Sequence, residues 1–299
     1  MEVSVRIRIR VPIAFAAGVS DVRIIPQTNV GSVAEAAVEP GGPKPVYVIG
    51  TEVPVPGGAL EEISDLEVTT PVAALRSVEV HRKAFAAAGV TSAFDRAIGV
   101  VVQPGIEFGN ANVVAYDQRK ARSLSATLSQ MPQFVFEAHS TDYQQTAALS
   151  ALVDDGFAIL KVGPWLTFAL REVLYGLDCV AEVLVPGASE DRLPAAMERL
   201  MLGEPGNWQK YYHGTAKDLK FQRHFSYSDR IRYYWPHRDA QAALKRLDGQ
   251  RIPETLVSQY LAALYPAVAA GRVEARPRNL QIAAVRTVLA AYWQACGGR

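Results

Sequence analysis

The sequence lacks an excess of charge of either sign: 31 Lys and Arg stand against 30 Asp and Glu. No long-range field therefore draws it to nucleic acid or to an anionic membrane. It has only two cysteines, Cys179 and Cys296, too few for a disulfide framework and not spaced as a C-x-x-C pair; they read as reduced, inert thiols of a cytoplasmic protein. No apolar run reaches the length of about 18 residues that a spanning helix needs. Residues 11–19 follow three arginines and have the outline of a short signal peptide, but Pro12 interrupts them. There is no G-x-x-x-x-G-K-[ST] loop and no G-x-G-x-x-G after a strand, so neither P-loop phosphoryl transfer nor Rossmann-type dinucleotide binding has sequence support. Internal repeats and low-complexity segments are also missing.

What is present is a core: 49% of the residues are apolar, enough for one large α/β domain or two smaller ones. The first eleven residues alternate, Val3, Val5, Ile7, Ile9 and Val11 against Ser4, Arg6, Arg8 and Arg10, the period of a strand with one wet face. Residues 32–38 fit a short helix. From residue 45 the text changes to short continuous apolar runs separated by helical periods. Strands are predicted at 46–49, 98–102, 134–136 and 157–162, with helices at 71–88, 91–97 and 116–130 between them. A further helix is expected to open at Ser140, Thr141 and Asp142, with Asp142 and Gln145 as a capping box, and to stop at Gly156. Strands alternating with helices make a parallel α/β sheet. After Pro164 only helical patterns follow: 166–184, 193–201, 207–212, 226–237, 238–247, 255–270 and 280–296. The division is an atypical segment 1–44, βα units over 45–185, and a helical extension over 186–299 that packs on them without a flexible linker.

In parallel α/β folds the chemistry gathers where strands end. Glu52, Glu107, Glu137 and His139 fall in or just after such ends, and can ligate a metal or exchange protons with a sugar. The plainer reading of His139 is a loop histidine that only hydrogen-bonds. Ser140 and Thr141 could hold a phosphate on backbone N–H groups or merely cap a helix; the acidic Asp142 argues against an anion there. Lys161 and Gly163 end the last strand, where the lysine pairs with a phosphate or a carboxylate, or forms a Schiff base if buried. Arg230 and Arg232, interleaved with Tyr233, Tyr234 and Trp235, have the composition of a protein interface, which weighs equally with simple helix packing.

Six strings carry a more specific signal: Tyr47-Val-Ile-Gly-Thr-Glu-Val-Pro-Val-Pro-Gly-Gly58, Val101-Val-Gln-Pro-Gly-Ile-Glu-Phe108, Glu137-Ala-His-Ser-Thr-Asp-Tyr-Gln144, Ala158-Ile-Leu-Lys-Val-Gly-Pro164, Thr167-Phe-Ala-Leu-Arg-Glu172 and Asp229-Arg-Ile-Arg-Tyr-Tyr-Trp-Pro-His237. In this order they resemble the non-catalytic (Z) subunit family of class II D-tagatose-1,6-bisphosphate aldolase, from about residue 33 onward. Members have also been labelled tagatose-6-phosphate kinases, a label the absent phosphoryl-transfer motif does not support. The resemblance implies a TIM-barrel-like (β/α)8 architecture with a helical C-terminal extension. It also implies a sugar phosphate as ligand, zinc as the metal of complete family members, and a catalytic aldolase subunit as partner. By the same resemblance His139, Ser140 and Thr141 are like a strand-seven histidine with its phosphate turn. Lys161 and Gly163 are like the strand-eight end, and the Glu52 loop is like a mobile acidic loop after strand five.

The departures shape the functional expectation. The Asp-His-Leu-Gly-Pro stretch of an early family strand is absent. Where the family reads Glu-Phe-Asp-His-Ser-Asn, this chain reads Glu107-Phe-Gly-Asn-Ala-Asn112. Of the three expected imidazoles only His139 remains, and zinc normally takes three or four protein ligands. Counted back from the Lys161 strand, residues 45–162 supply strands five to eight alone, while a closed barrel takes roughly 200 residues or more. An N-terminally truncated or misframed chain, oligomeric because its sheet edges are open, is the expectation. The function expected is accessory: stabilising and activating a separate catalytic chain that cleaves tagatose 1,6-bisphosphate in galactitol or amino-galactose catabolism. The alternative is a metal-dependent aldolase or sugar-phosphate 4-epimerase with His139 and Glu52 as ligands. No cofactor is assigned to the chain itself.

Overall fold

The computed structural model describes residues 44, 46–50, 66–185, 192–247 and 249–298. The N-terminal alternating strand, the 32–38 helix and Glu52 lie outside these residues. Four strands form a parallel sheet: β1 (Tyr47–Ile49), β2 (Ala97–Val102), β5 (Val135–Ala138) and β6 (Ile159–Leu160), in the order β1-β2-β5-β6. A second, antiparallel pair joins β3 (Glu107–Phe108) to β4 (Val113–Val114); its two-residue strands leave no periodic trace to read. The architecture is α/β, as expected.

Between the strands run α1 (Pro71–Ala87), α2 (Thr91–Phe94), α3 (Gln118–Ala126) and α4 (Thr146–Asp154). Their limits follow local chemistry. Thr70 caps α1 by accepting from the Ala73 amide at 3.2 Å, with Pro71 in the first turn, and the chain leaves through Gly89 at φ +74°. Asp117 caps α3 through the Arg119 amide at 3.0 Å. Past α4, Gly156 sits at φ +92°, and a Cβ there would also run into the Leu128 side chain. Glycine is required on both counts.

Beyond β6, the long α5 (Trp165–Leu184) is followed by α6 (Leu193–Gly203), α7 (Ala216–Phe225), α8 (Arg238–Leu244), α9 (Glu254–Tyr260), α10 (Tyr265–Ala269) and α11 (Pro277–Ala295). α5 ties everything together. Ala169 joins the core around the sheet, Val173 and Leu177 a second core with α9 and α11, and Leu174 a third with α6 and the turn at Arg230–Tyr234. α11 spans two of these, giving Leu280 and Ala284 to the second and Val288 and Tyr292 to the first. Burying one such apolar side chain is worth about 1.5–3 kcal/mol, and here each helix does so for two bodies of the fold.

The structure corrects several expected elements. Residues 140–145 do not begin a helix: Ser140 and Tyr143 have φ of +54° and +63°, and α4 starts only at Thr146. The expected helix at 207–212 is a turn of 3-10 helix, Pro205–Asn207, followed by turns, and that at 226–237 is a 3-10 helix over Arg230–Tyr234. The expected helix at 255–270 breaks at residues 261–264, because Pro266 can only start a new helix and not continue the old one. In contrast, α7 has a complete capping box, Thr215 with Asp218, which reading for apolar periodicity alone overlooks.

Candidate functional site

Side chains alternate between the two faces of a strand. On β5, Phe136 and Ala138 are fully buried against the helices, so Glu137 takes the opposite face, and His139, two residues on, follows it. The register pairs Glu137 with Ile159, which puts Lys161 beside His139. The distances agree: His139 Nε2 lies 2.7 Å from Glu137 Oε1, and Lys161 Nζ lies 3.5 Å from the same nitrogen. One nitrogen cannot donate to the carboxylate and accept from the ammonium at once. The 2.7 Å contact has the length of a charge-assisted bond and the 3.5 Å contact is at the limit. Nε2 therefore donates toward Glu137. The side chains of His139 and Glu137 keep only 9% and 13% of their surface in water.

The loop that follows is held from both sides. Thr141, fully buried, donates from Oγ1 to the Lys161 carbonyl at 2.9 Å and meets the Tyr292 hydroxyl at 2.9 Å. The Tyr292 hydroxyl also lies 3.0 Å from the Thr141 carbonyl. Asp142 accepts from the Gly163 amide at 2.9 Å and the Trp165 amide at 2.8 Å. A carboxylate thus occupies the N-terminal donors of α5, where a phosphate would bind. Burial raises the Asp142 carboxyl to about 6, against the lowering pull of those amides and of the Arg232 charge. Of the four residues expected to contact phosphate, Thr141 and Gly163 have these internal partners. Ser140 and Lys161 stand half-buried at the mouth.

Asp229, in left-handed conformation at φ +46°, binds Thr167 Oγ1 at 2.6 Å and Arg171 Nε at 3.1 Å. Burial again raises its pKa to about 6, opposed by Thr167, Arg171 and Arg232. Asn110 stands where the resembled family has a histidine. Its Oδ1 accepts from Ser226 Oγ at 2.8 Å and Ser228 Oγ at 2.9 Å, and its carbonyl from the Tyr227 amide at 3.0 Å. This amide fastens the β3–β4 loop to the helical part. Glu107 turns back on its own strand, accepting from the Phe108 amide at 3.0 Å. Among the described residues no group of three or more His, Cys, Asp or Glu is placed to hold a metal ion. The residues described do not fit the zinc site that the family resemblance implies.

The residues expected at a partner interface divide. Arg230 stacks on Tyr211 with its guanidinium 3.4 Å from the ring centre and donates to the Asn207 carbonyl; Tyr234 and Trp235 are buried in the third core. Tyr233 is 47% exposed, and Arg232 reaches its hydroxyl at 2.9 Å while lying 3.0 Å from the Asp229 carbonyl. Sequence reasoning saw Asn110 only as a replaced histidine, and missed Tyr292, Asp229 and Arg171. Asp229 and Arg171 sit inside two of the motif strings, whereas nothing local to Tyr292 marks its partner 151 residues away.

The site is of the class formed by a parallel α/β sheet with a polar, carboxylate-oriented histidine at its mouth. The chain belongs to the GatZ/KbaZ-like family of D-tagatose-1,6-bisphosphate aldolase subunits, whose model matches residues 25–297. It is 54% identical over 267 residues to the D-tagatose 6-phosphate 4-epimerase of Agrobacterium fabrum (strain C58), covering 88% of this chain and 62% of that protein. It is similar at 54% identity, with a TM-score of 0.80, to a solved probable tagatose 6 phosphate kinase from Sinorhizobium meliloti 1021, covering 90% of this chain and 66% of that one. The chain thus spans under two thirds of the length of either relative. Among the described residues no helix is long and apolar enough to cross a membrane.

Proposed function

We propose that this chain is a non-catalytic subunit of a class II D-tagatose-1,6-bisphosphate aldolase, working in the cytoplasm beside a separate catalytic chain. That pair cleaves tagatose 1,6-bisphosphate to dihydroxyacetone phosphate and glyceraldehyde 3-phosphate. The observation that carries the reading is the pair of engaged side chains: His139 is bonded to Glu137, and Asn110 is an amide held by two serines. In this reading the four strands are strands five to eight of a (β/α)8 barrel. The outer strands of the sheet, β1 and β6, then lean on a partner chain, and a sugar phosphate meets Ser140 and Lys161. Aldol cleavage measured with this chain alone, the catalytic chain alone and the two mixed tests it. Cleavage should rise on mixing and be absent from this chain alone. Turnover by this chain alone, with stoichiometric zinc, overturns it.

A second reading, epimerisation of a ketose 6-phosphate at C4 through retro-aldol scission of the C3–C4 bond, is favoured by the 54% identity to the Agrobacterium enzyme. Incubation with D-tagatose 6-phosphate distinguishes it, since an epimerase yields fructose 6-phosphate without any added chain.

A further inference from the structure

A cleft of about 690 Å³ is bordered by Tyr143. α5 lines it with Trp165 and Glu172, α11 with Val288, and the end of α9 and the connection to α10 with Tyr260 and Leu264. That last stretch is built in. α5 carries Gly176 where a Cβ would stand 2.6 Å from the Tyr260 carbonyl and would strike Leu261, so only glycine lets the connection approach. Tyr143, at φ +63°, is fixed at the edge of the cleft by its hydroxyl on the Tyr227 carbonyl at 2.6 Å and by ring contacts with Trp165 and Phe168.

The size suits a small molecule, and the lining is mainly apolar and aromatic, with Gln144, Gln145, Thr146, Glu172 and Thr287 as its polar side chains. Its charge is one-sided. Glu172 is the acidic residue of the lining, and no lysine, arginine or histidine is among the lining residues. The adjacent Arg171 is spent elsewhere, on Asp229 and over the Phe168 ring at 4.1 Å. A sugar phosphate would meet the Glu172 carboxylate with no cationic side chain to offset it, and only the opening of α4 at Gln145 and Thr146 to attract it. A cation would find a carboxylate and the faces of tyrosine and tryptophan, which attract cations through their quadrupoles. Glu172 is an exposed residue at the edge of the cleft; the burial of its inner side pushes the carboxyl upward, with the Arg171 charge opposing.

We propose that this cleft is a binding site for a small amphipathic amine, its aromatic or aliphatic body between Trp165, Leu264 and Val288 and its ammonium on Glu172. The site is independent of the aldolase reading and survives its failure. Calorimetric titration of the full chain with phenethylamine, 2-phenylethanol and phenylacetate tests it, with the Trp165 fluorescence followed in parallel. Phenethylamine should bind, the alcohol about fivefold more weakly, the scale of one partly exposed ion pair, and phenylacetate not at all. Glu172→Gln should bring the amine down to the affinity of the alcohol. Thr287→Trp, a change at an exposed lining position, should abolish binding of both ligands with an unchanged circular-dichroism melt. No binding of the amine, equal binding of amine and phenylacetate, or an undiminished amine affinity in Glu172→Gln would each overturn the proposal.

Discussion

Asp142 shows how a carboxylate that reads as a cap for the helix after it can act as a clamp on another one. Its two oxygens take the amides that open α5, so Asp142→Ala should leave these donors unpaired and cost about 1–3 kcal/mol in chemical denaturation. The pH dependence has a definite sign. Asp142 and Asp229 both titrate in the fold near 6, above the ordinary aspartate value of about 3.9. The contribution of such groups is fully present below that ordinary value and is lost as pH rises through 6. In denaturant titrations at several pH values, Asp142→Asn should therefore flatten the stability slope between pH 4 and 7 relative to the native chain. An unchanged slope would mean that the carboxyl is hydrated. Tyr292→Phe removes the hydroxyl shared with Thr141, and a loss of about 1–2 kcal/mol is expected.

At the scale of elements, glycines carry two of the sharper expectations. Gly156→Ala meets both a positive φ and the Leu128 side chain, and should destabilise by more than the ~1 kcal/mol of φ strain alone. Gly176→Ala is the more telling variant. Alanine improves helix propensity by about 1 kcal/mol, yet its Cβ would push Tyr260 and Leu261 away from α5. A net loss of about 1–3 kcal/mol in thermal or denaturant unfolding is expected from overpacking. Helix α1 was legible almost to the residue because its Thr70 cap, Pro71 and Gly89 are local signals. The 140–145 segment was not, since its polar string fits a helix start as well as a loop. What decides is the bonding of Thr141 to Lys161 and of Asp142 to Gly163, partners on another strand's end. The His139–Lys161 neighbourhood could be inferred from strand parity once the pairing of β5 with β6 was assumed, whereas the role of Asn110 could not. Its serine partners lie more than a hundred residues downstream, at Ser226 and Ser228.

For the molecule as a whole, α5 and α11 supply side chains to the core around the sheet and to the core of the helical extension. Neither body can keep its interior closed if the other opens. Near-ultraviolet and far-ultraviolet circular dichroism should report one coincident unfolding transition for the described fold; two separated transitions would show that the helical part is an autonomous unit. The contact of Thr141 with Tyr292 has a temporal side as well. A polypeptide emerges from the ribosome from its amino end, so the loop beside His139 waits for a tyrosine made 151 positions later. Such distant closure is slow compared with local helix formation. On refolding, the sheet mouth should be among the last parts to acquire its native shape, arriving with the docking of α11 and not with the pairing of the strands that bear it.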